Sequence, residues 1–440
     1  MNADPMPGVS VYDRLRRSDE ELTALLAGGA ARHELVAVFG ASEYTLLAAL
    51  ARRALRAPRR HAAPVYILPG IMGTQLGAVR AAPAPMDLLW LDPQDIIDGA
   101  LTNLRLPEGA GLSALGAIPY SYLALRLRLQ AAGFSVVMHD YDWRADLSGL
   151  ARALAARLRA DPAPEVMMVA HSMGGLIARA ALGQPGGERV RRLILLGVPQ
   201  HGSYGAVQAI RGTYPVVRRL AALDRHHDAE FLAQQVFSTF PSIHQLLPTM
   251  ELEPSTDLLD AANWPGTGPR PDARLLQAAR EFGALLVASN AASNAAADAR
   301  CLAICGVQQR TVVGLQLRAG DFHYRVSNAG DGTVPLASAR LAHADNYYVR
   351  CEHSALPRSA TVGRALIELL RSGRTTRLAR QAGARSPRTV AVSDAELRTT
   401  WNEKVDWARL RPAAHRDYLN RLNQAPPQYA PWRTGGTRRG

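Results

Sequence analysis

Short apolar runs alternate with amphipathic segments along the middle of the chain. Between several of these runs, stretches such as 122–132 and 150–160 repeat apolar residues at helical spacing. Strands that alternate with helices predict an α/β fold, in which a mainly parallel sheet carries helices on both faces. The runs that predict strands buried on both sides are 64–70, 134–140, 165–171, 192–198, 301–307 and 346–351.

Two long intervals interrupt this alternation. Residues 77–120 are rich in Pro and Gly, and residues 205–299 hold helical stretches between two strands that should be close in the sheet. Insertions of this size at strand ends usually cover a site, so we predict a lid at about 77–120 and a cap at about 205–299. The core domain is then predicted over 61–370, with an amphipathic helical appendage before it (1–60) and an extension after it (371–440).

The composition is that of a globular protein, but the charge is unevenly distributed. Apolar residues make up 48% and charged residues 20%, which excludes a mainly disordered, collagen-like or coiled-coil protein. Of the net charge of +13, residues 371–440 carry +10 and all the others together +3. A basic segment of this kind is most often a solvated extension, and in some proteins it binds anionic lipid or nucleic acid. We predict a peripheral membrane contact through it and no specific nucleic-acid binding, because no recognised motif is present.

Three features of the sequence concern its compartment. Three cysteines cannot form a disulfide framework, which indicates a reducing environment, and no Asn-x-Ser/Thr sequon occurs. The N-terminal stretch lacks the apolar region of a secretory signal. The longest uncharged stretches, 61–79 and 193–210, contain Gly and Pro and do not resemble transmembrane helices. We therefore expect a cytoplasmic protein.

The sequence A-H-S-M-G follows one of the predicted strands and directly precedes an amphipathic helix. A strand, a tight turn and a helix in this order form a nucleophile elbow, which needs small residues two positions on either side of the serine. Ala170 and Gly174 meet that need, and Gly175 lets the helix approach the strand. We predict that Ser172 is a nucleophile rather than a structural serine.

A nucleophilic serine requires a base and an acid that orients the base, and after an elbow of this kind they follow in the order acid, then histidine. Asp331 lies between two glycines in N-A-G-D-G-T-V-P, and on its own it would be read as an ordinary turn aspartate. The competing acids are Asp321 and Glu352. His353 comes just after the last predicted strand, where the base is expected. The chain order therefore predicts a catalytic triad of Ser172, Asp331 and His353.

An oxyanion hole needs two backbone N–H groups near the nucleophile. One donor is the residue after the serine, Met173. The other should come from L-P-G-I-M-G-T (68–74), the loop after the first predicted strand, in which Ile71 is the predicted donor. A glycine-rich loop can also bind phosphate, but the spacing here matches neither a dinucleotide fingerprint nor a Walker loop.

The remaining histidines give weaker signals. His201, in V-P-Q-H-G-S after a predicted strand, is expected at the rim of the site as a substrate-binding residue. His226 and His227 are adjacent, so on a helix they would face apart, and no further ligand cluster lies nearby. We predict no metal site and no cofactor.

Six motifs, in this order, resemble the lecithin:cholesterol acyltransferase family, which includes phospholipid:diacylglycerol acyltransferases and lysosomal phospholipases. They are P-G-I-M-G-T, Y-D-W-R, A-H-S-M-G-G, V-P-Q-H-G-S, G-D-G-T-V-P and E-H-S-A-L-P-R-S. The resemblance spans roughly 64–360 and implies an α/β-hydrolase fold, acyl transfer from a glycerolipid ester, and the triad and oxyanion residues named above. L-W-L-D-P (89–93) resembles the lid region of the family, which makes Trp90 a candidate lipid contact.

We therefore expect a serine acyl hydrolase, a lipase or phospholipase, that cleaves lipid esters through an acyl-enzyme on Ser172. Two alternatives remain open: an O-acyltransferase that passes the acyl chain to an alcohol, and an inactive scaffold that binds lipid or protein. The sequence indicates no particular protein partner. If the basic extension only contacts membranes, removal of 371–440 should weaken vesicle binding and spare the hydrolysis of a dissolved short-chain ester.

Overall fold

The computed structural model describes residues 18–59, 61–78, 87–292, 300–383 and 388–430. The strands are β1 (Val65–Leu68), β2 (Thr74–Ala78), β3 (Asp87–Trp90), β4 (Ser113–Ala117), β5 (Val136–Met138), β6 (Val166–His171), β7 (Val190–Leu196), β8 (Cys301–Gly306), β9 (Thr311–Arg318), β10 (Asp321–Ser327), β11 (Asp345–Val349) and β12 (Val390–Ser393). The α-helices are α1 (Asp19–Gly28), α2 (Arg32–Phe39), α3 (Ala41–Arg56), α4 (Pro93–Ile97), α5 (Pro119–Ala131), α6 (Leu147–Ala160), α7 (Met173–Leu182), α8 (Tyr204–Ile210), α9 (Pro215–Leu223), α10 (Ala229–Gln235), α11 (Pro241–His244), α12 (Ala273–Ala292), α13 (Leu336–Ala339), α14 (Ala360–Ser372), α15 (Asp394–Arg398) and α16 (Pro412–Asn420).

A six-stranded sheet in the order β11–β8–β7–β6–β1–β5 forms the centre, and every neighbouring pair in it is parallel. Val65 and Ile67 of β1 lie in one apolar cluster with α5 and α14. Tyr66 and Leu68 of the same strand lie in another cluster with α6 and α7. Because both faces of the sheet are buried, its strands are continuous apolar runs. The predicted α/β class is confirmed.

Helix α5 is covered on two sides, which explains its many leucines. Leu125 and Leu129 belong to the cluster on the sheet, whereas Leu123 and Leu127 pack against the N-terminal helices α1, α2 and α3. The first of these helices is preceded by Ser18, which forms a capping box with Glu21. The N-terminal helices therefore lie on the core through α5.

The predicted lid interval contains more strand than its sequence suggests. β2 pairs antiparallel with both β3 and β4 in a small sheet. All three strands are short and shift register along their pairings, and β2 and β4 contain glycine and other small residues, so they lack the alternation that marks a strand. Residues 79–86 of this interval lie outside the described residues. In the predicted cap interval, helices α8 to α12 connect the paired strands β7 and β8, and residues 293–299 lie outside the described residues.

The segment from 388 to 430 is folded, and its interpretation as a solvated extension is wrong over this range. β12 pairs antiparallel with β10, and the side chains of Leu397, Leu422 and Tyr429 are buried in the main core. The segment carries enough apolar side chains and buried polar contacts to offset the entropy lost on ordering. Residues 384–387 and 431–440 lie outside the described residues.

Within the described ranges, no single helix combines the length and the apolar composition needed to cross a bilayer. The bent pair α1 and α2, which meet at 112°, passes that test jointly, on length and composition alone. Cys301, Cys305 and Cys351 form no disulfide bonds with one another.

Candidate active site

A tight turn between β6 and α7 holds Ser172. The strand ends at His171 and the helix begins at Met173, so Ser172 alone makes the turn, with φ 52° and ψ −130°. A positive φ is strained for a residue other than glycine and persists only where surrounding contacts hold it. One such contact is the hydrogen bond from the Ser172 N–H to the carbonyl oxygen of Leu196 (2.9 Å) in the neighbouring strand. The conformation is that of a nucleophile elbow.

Two glycines after the turn allow α7 to lie close to its neighbours. A Cβ atom on Gly174 would stand 2.3 Å from the carbonyl oxygen of Pro69, and one on Gly175 would stand 2.1 Å from Cγ2 of Val198. Neither distance is compatible with a side chain, so the start of this helix requires glycine at both positions. The same close approach brings the loop at 69–74 next to Ser172.

The structure brings Ser172, Asp331 and His353 together from three separate loops. Nε2 of His353 lies 2.9 Å from Oγ of Ser172, and its Nδ1 lies 2.7 Å from Oδ2 of Asp331. The other carboxylate oxygen of Asp331 accepts hydrogen bonds from the backbone N–H groups of Thr333 (3.0 Å) and Val334 (2.7 Å). Because a carboxylate only accepts, Nδ1 of His353 carries a proton and Nε2 is free to accept the proton of Ser172.

The competing acids lie elsewhere. Asp321 begins β10, where its carboxylate accepts from the Ala395 N–H (3.0 Å) and lies 3.8 Å from the guanidinium of Arg211. Glu352 is exposed, although it precedes His353 in the chain. Of the three acids considered from the sequence, only Asp331 contacts the imidazole ring of His353.

The loop at 69–74, which contains the predicted oxyanion donor Ile71, is held by aromatic side chains. The Tyr141 hydroxyl donates to the carbonyl oxygen of Pro69, and the indole N–H of Trp90 donates to that of Met72 (3.0 Å). Trp143 donates in the same way to the carbonyl oxygen of Thr74 (3.0 Å). Because a peptide group is planar, a fixed carbonyl oxygen also fixes the N–H of the next residue. The carbonyl oxygen of Gly70, in the same peptide group as the Ile71 N–H, accepts from the Gly73 N–H (3.1 Å).

A chain of hydrogen bonds joins this loop to the loop of His353. The Gly70 N–H donates to the Tyr122 hydroxyl (2.8 Å). Nε2 of His171 carries a proton, because its partner is the carbonyl oxygen of His353 (3.1 Å), which only accepts. Nδ1 of the neutral ring therefore accepts from the Tyr122 hydroxyl (2.9 Å). Burial, together with the nearby imidazole of His353, lowers the pKa of His171 well below its usual value. His171 is therefore a neutral spacer.

A cavity of about 790 Å³ opens beside Ser172 and His353. Ile71 and Trp90 line it on one side, and Trp90 is only 2% exposed to solvent. Other parts of the wall come from the N-terminal helices, from helices between β7 and β8, and from the C-terminal segment; these include Leu22, Leu35, Phe39, Ile243, Leu246, Leu419 and Leu422. The wall is thus mainly apolar and is built from almost the whole length of the chain.

Two sequence candidates take no part in this arrangement. His201 is absent from the described residues that line the cavity; its backbone N–H donates to Oγ of Ser338 (3.1 Å), and burial lowers its pKa. Nδ1 of His227 lies 3.0 Å from the carboxylate of Asp224, and its ring stacks on Phe231. Within the described ranges, no three metal-ligating side chains form a group that could hold a metal ion.

Sequence reasoning missed several residues that support or line the site. Tyr141 and Trp143 belong to the Y-D-W-R motif, so their importance was signalled, although not their role. Tyr122 gave no local signal, because its partners lie far away in the sequence. Nothing in the pattern of residues 407–423 indicated that this segment lines the cavity.

No protein-family model and no curated protein matches this chain. Among solved structures, it is similar to the lipase BlEst2 of Bacillus licheniformis. With the mature form it shares 14% identity at a TM-score of 0.35, over 72% of this chain and 94% of that one. With the propeptide form it shares 15% identity at a TM-score of 0.38, over 70% of this chain and 52% of that one. A Tle4–Tli4 complex also matches, at 13% identity and a TM-score of 0.47, over 71% of this chain and 99% of that one. A likeness at this level concerns the fold alone.

Proposed function

We propose that this protein hydrolyses ester bonds of lipids through an acyl-enzyme on Ser172. The observation that carries the proposal is the pair of hydrogen bonds that joins Ser172 to His353 and His353 to Asp331 at the wall of a mainly apolar cavity. A buried serine on a strained turn, bonded to a histidine that a carboxylate orients, is the arrangement that nucleophilic acyl transfer requires. The inactive-scaffold alternative leaves this arrangement unexplained.

In the proposed first step, Oγ of Ser172 attacks the ester carbonyl carbon while Nε2 of His353 takes its proton. The backbone N–H groups of Ile71 and Met173 are the proposed donors to the oxyanion that forms. His353 then gives the proton to the departing alkoxide, and the acyl group stays on Ser172. In the second half, His353 takes a proton from water, the resulting hydroxide attacks the acyl carbon, and the proton returns to Oγ as the free acid leaves.

The walls of the cavity support a lipid acyl chain as the group transferred. A volume of about 790 Å³ is within the range of small-molecule sites, roughly 300–1,000 Å³, and leucine and phenylalanine side chains face it. Each methylene that leaves water for such a wall contributes about 0.8 kcal/mol. Trp90, which lines the cavity beside the loop at 69–74, is a proposed contact of the substrate.

The proposal is tested by replacing Ser172 with alanine. We expect turnover of p-nitrophenyl butyrate to fall by about 10⁴–10⁶-fold with no change in Tm. A fluorophosphonate probe should label the wild-type protein and not the variant. Ser372→Ala, a change of an exposed serine at the end of α14, is the matched control and should keep full activity. If Ser172→Ala retains wild-type turnover, the proposed mechanism is wrong.

The acyl group on Ser172 could pass by the same chemistry to either of two acceptors, water or an alcohol. Attack by water gives a free fatty acid, whereas attack by an alcohol gives a new ester and makes the protein an O-acyltransferase. Lipid mass spectrometry after incubation with mixed phospholipids and triglyceride, with and without a long-chain alcohol, separates the two outcomes. We propose hydrolysis, because no second substrate-binding element is recognisable in the sequence.

A further inference from the structure

The C-terminal helix α16 and its flanks form one wall of the cavity. Trp407, His415, Arg416, Leu419, Leu422 and Asn423 all line it. These residues lie outside the stretch whose motifs resemble a known family, and nothing in the reaction proposed above assigns them a role.

One end of this wall is attached to the loop of the proposed catalytic acid. The side-chain amide of Asn423 donates to Oγ1 of Thr333 (3.0 Å), and its carbonyl oxygen accepts from the Tyr214 hydroxyl (2.7 Å). Thr333 in turn donates its backbone N–H to the carboxylate of Asp331 (3.0 Å). The wall therefore begins beside the reacting groups.

The other end of the wall lies on the N-terminal helices. The guanidinium of Arg416 donates to the carbonyl oxygen of Ala37 (3.3 Å) in α2, the helix that contributes Leu35 and Phe39 to the cavity. Arg416 lies within α16, and Asn423 lies three residues beyond the end of this helix at Asn420. The wall thus extends from the loop of Asp331 to α2.

The polar groups of the wall are largely occupied by protein partners. His415 uses Nε2 to donate to the carbonyl oxygen of Trp407 (2.7 Å), and its ring stacks on the indole with centroids 4.0 Å apart. Arg416 and Asn423 are engaged as described above. Leu419 and Leu422 add hydrocarbon to the lining, to which Leu35 and Phe39 of α2 also contribute.

We infer that α16 sets the length of the acyl chain that the cavity accepts. This inference rests on the proposed function. A chain long enough to reach Leu419 gains contact with this wall, and each added methylene buried there is worth about fourfold in kcat/KM. A short acyl chain, which ends near Ser172, gains nothing from α16.

The test is Leu419→Trp in the full-length protein, assayed with p-nitrophenyl butyrate, octanoate and palmitate in mixed micelles. The larger side chain should fill the distal part of the cavity. We expect the ratio of kcat/KM for palmitate to that for butyrate to fall by at least tenfold below the wild-type ratio. Leu419→Ala removes hydrocarbon that a long chain would contact and should also lower the ratio, so it carries the test if the tryptophan variant fails to fold. Asp417→Ala, an exposed position of the same helix, is the matched control.

The outcomes separate this inference from the proposed function. If the wild-type protein hydrolyses none of the three esters, the proposed function has failed. If Ser172-dependent hydrolysis is present but both folded Leu419 variants keep the wild-type ratio, the role of α16 is wrong and the proposed function stands. A palmitate-to-butyrate ratio below the wild-type value in either folded Leu419 variant supports the inference.

Discussion

The imidazole of His353 is held through both its ring and its backbone. The ring donates to Asp331, the backbone N–H donates to the carbonyl oxygen of the same residue (2.8 Å), and the carbonyl oxygen accepts from His171. Because the ring is held in place, Nε2 can accept the proton of Ser172 with little reorganisation, as the proposed role of His353 as a base requires.

At the scale of the residue, Asp331→Asn should lower kcat by about 10³–10⁴-fold and leave Tm almost unchanged. An asparagine keeps one oxygen to accept from Thr333 and Val334, so the loop should persist. Its amide can donate to Nδ1 of the imidazole, which favours the tautomer with the proton on Nε2, and that tautomer cannot accept from Ser172. Steady-state kinetics beside thermal unfolding provide the measurement.

The two other acids supply the controls for this prediction. Asp321→Asn and Glu352→Gln should keep wild-type kcat, because neither carboxylate contacts His353 in the described structure. A nearly silent Asp331→Asn, with a large loss in one of these two, would mean that the orienting acid has been misassigned.

The sequence could predict Ser172, Asp331 and His353 as a set because each lies in a short motif beside a recognisable strand. It could not predict Tyr122 and His171 as a pair. Their hydrogen bond depends on how α5 packs against β1 and β6, and no local pattern encodes that arrangement.

At the scale of the element, burial decided which strands were predictable. β6 and β8 lie inside the sheet, are buried along their whole length, and agree closely with the apolar runs. β5 is an edge strand with half-buried residues, and it covers only Val136–Met138 of the predicted 134–140. Hydropathy identifies a strand through the surface that it buries, so edge strands and the small sheet of β2, β3 and β4 are poorly marked.

The close approach of Gly175 in α7 to Val198, just after β7, gives a prediction about stability at the turn. Gly175→Ala should lower the free energy of unfolding by about 1–3 kcal/mol, because its Cβ would overlap the side chain of Val198. Val198→Ala removes that obstacle, so in the double variant the two losses should not add, with a coupling of about 0.5–3 kcal/mol. Urea unfolding of the two single variants and the double variant measures this coupling.

A glycine with free space around it is the matched control for that experiment. Gly283 lies within α12, and a Cβ there would meet no atom within 4 Å. Gly283→Ala should therefore stabilise the protein by about 0.5–1 kcal/mol through helix propensity. Strict additivity of Gly175→Ala and Val198→Ala would show that helix and strand do not meet as described.

At the scale of the whole molecule, the contacts of residues 371–430 change the interpretation of the positive charge in this part of the chain. Several of its basic side chains are paired within the protein: Arg377 with Glu368, Arg380 with Asp345, and Arg398 with Glu230. Lys404 donates to the carbonyl oxygens of Ala221, Asp224 and His227, at and just beyond the end of α9. Net charge and composition do not reveal such pairing, so on their own they predict a solvated segment.

A buried ion pair links this segment to the core. Arg211 and Asp394 are both fully buried, with Nε 2.8 Å from Oδ2, and the second carboxylate oxygen accepts from Tyr324 (2.7 Å) and Thr213 (3.0 Å). Burial raises the pKa of the Asp394 carboxyl, and the Arg211 guanidinium opposes this shift. Such a pair adds little net stability, but the loss of one partner leaves a buried charge unpaired and costs about 3–5 kcal/mol.

Removal of residues 388–440 should therefore destabilise the protein and abolish both activities, on dissolved butyrate ester and on lipid vesicles. Arg211 would lose its carboxylate, the core would lose Leu397, Leu422 and Tyr429, and the cavity would lose a wall. We expect Tm to fall by at least about 5 °C. The point variant Asp394→Asn should reproduce much of the loss in Tm while keeping the wall. A truncated protein with wild-type Tm, unchanged butyrate hydrolysis and weaker vesicle flotation would instead support a membrane-binding tail that is independent of the core.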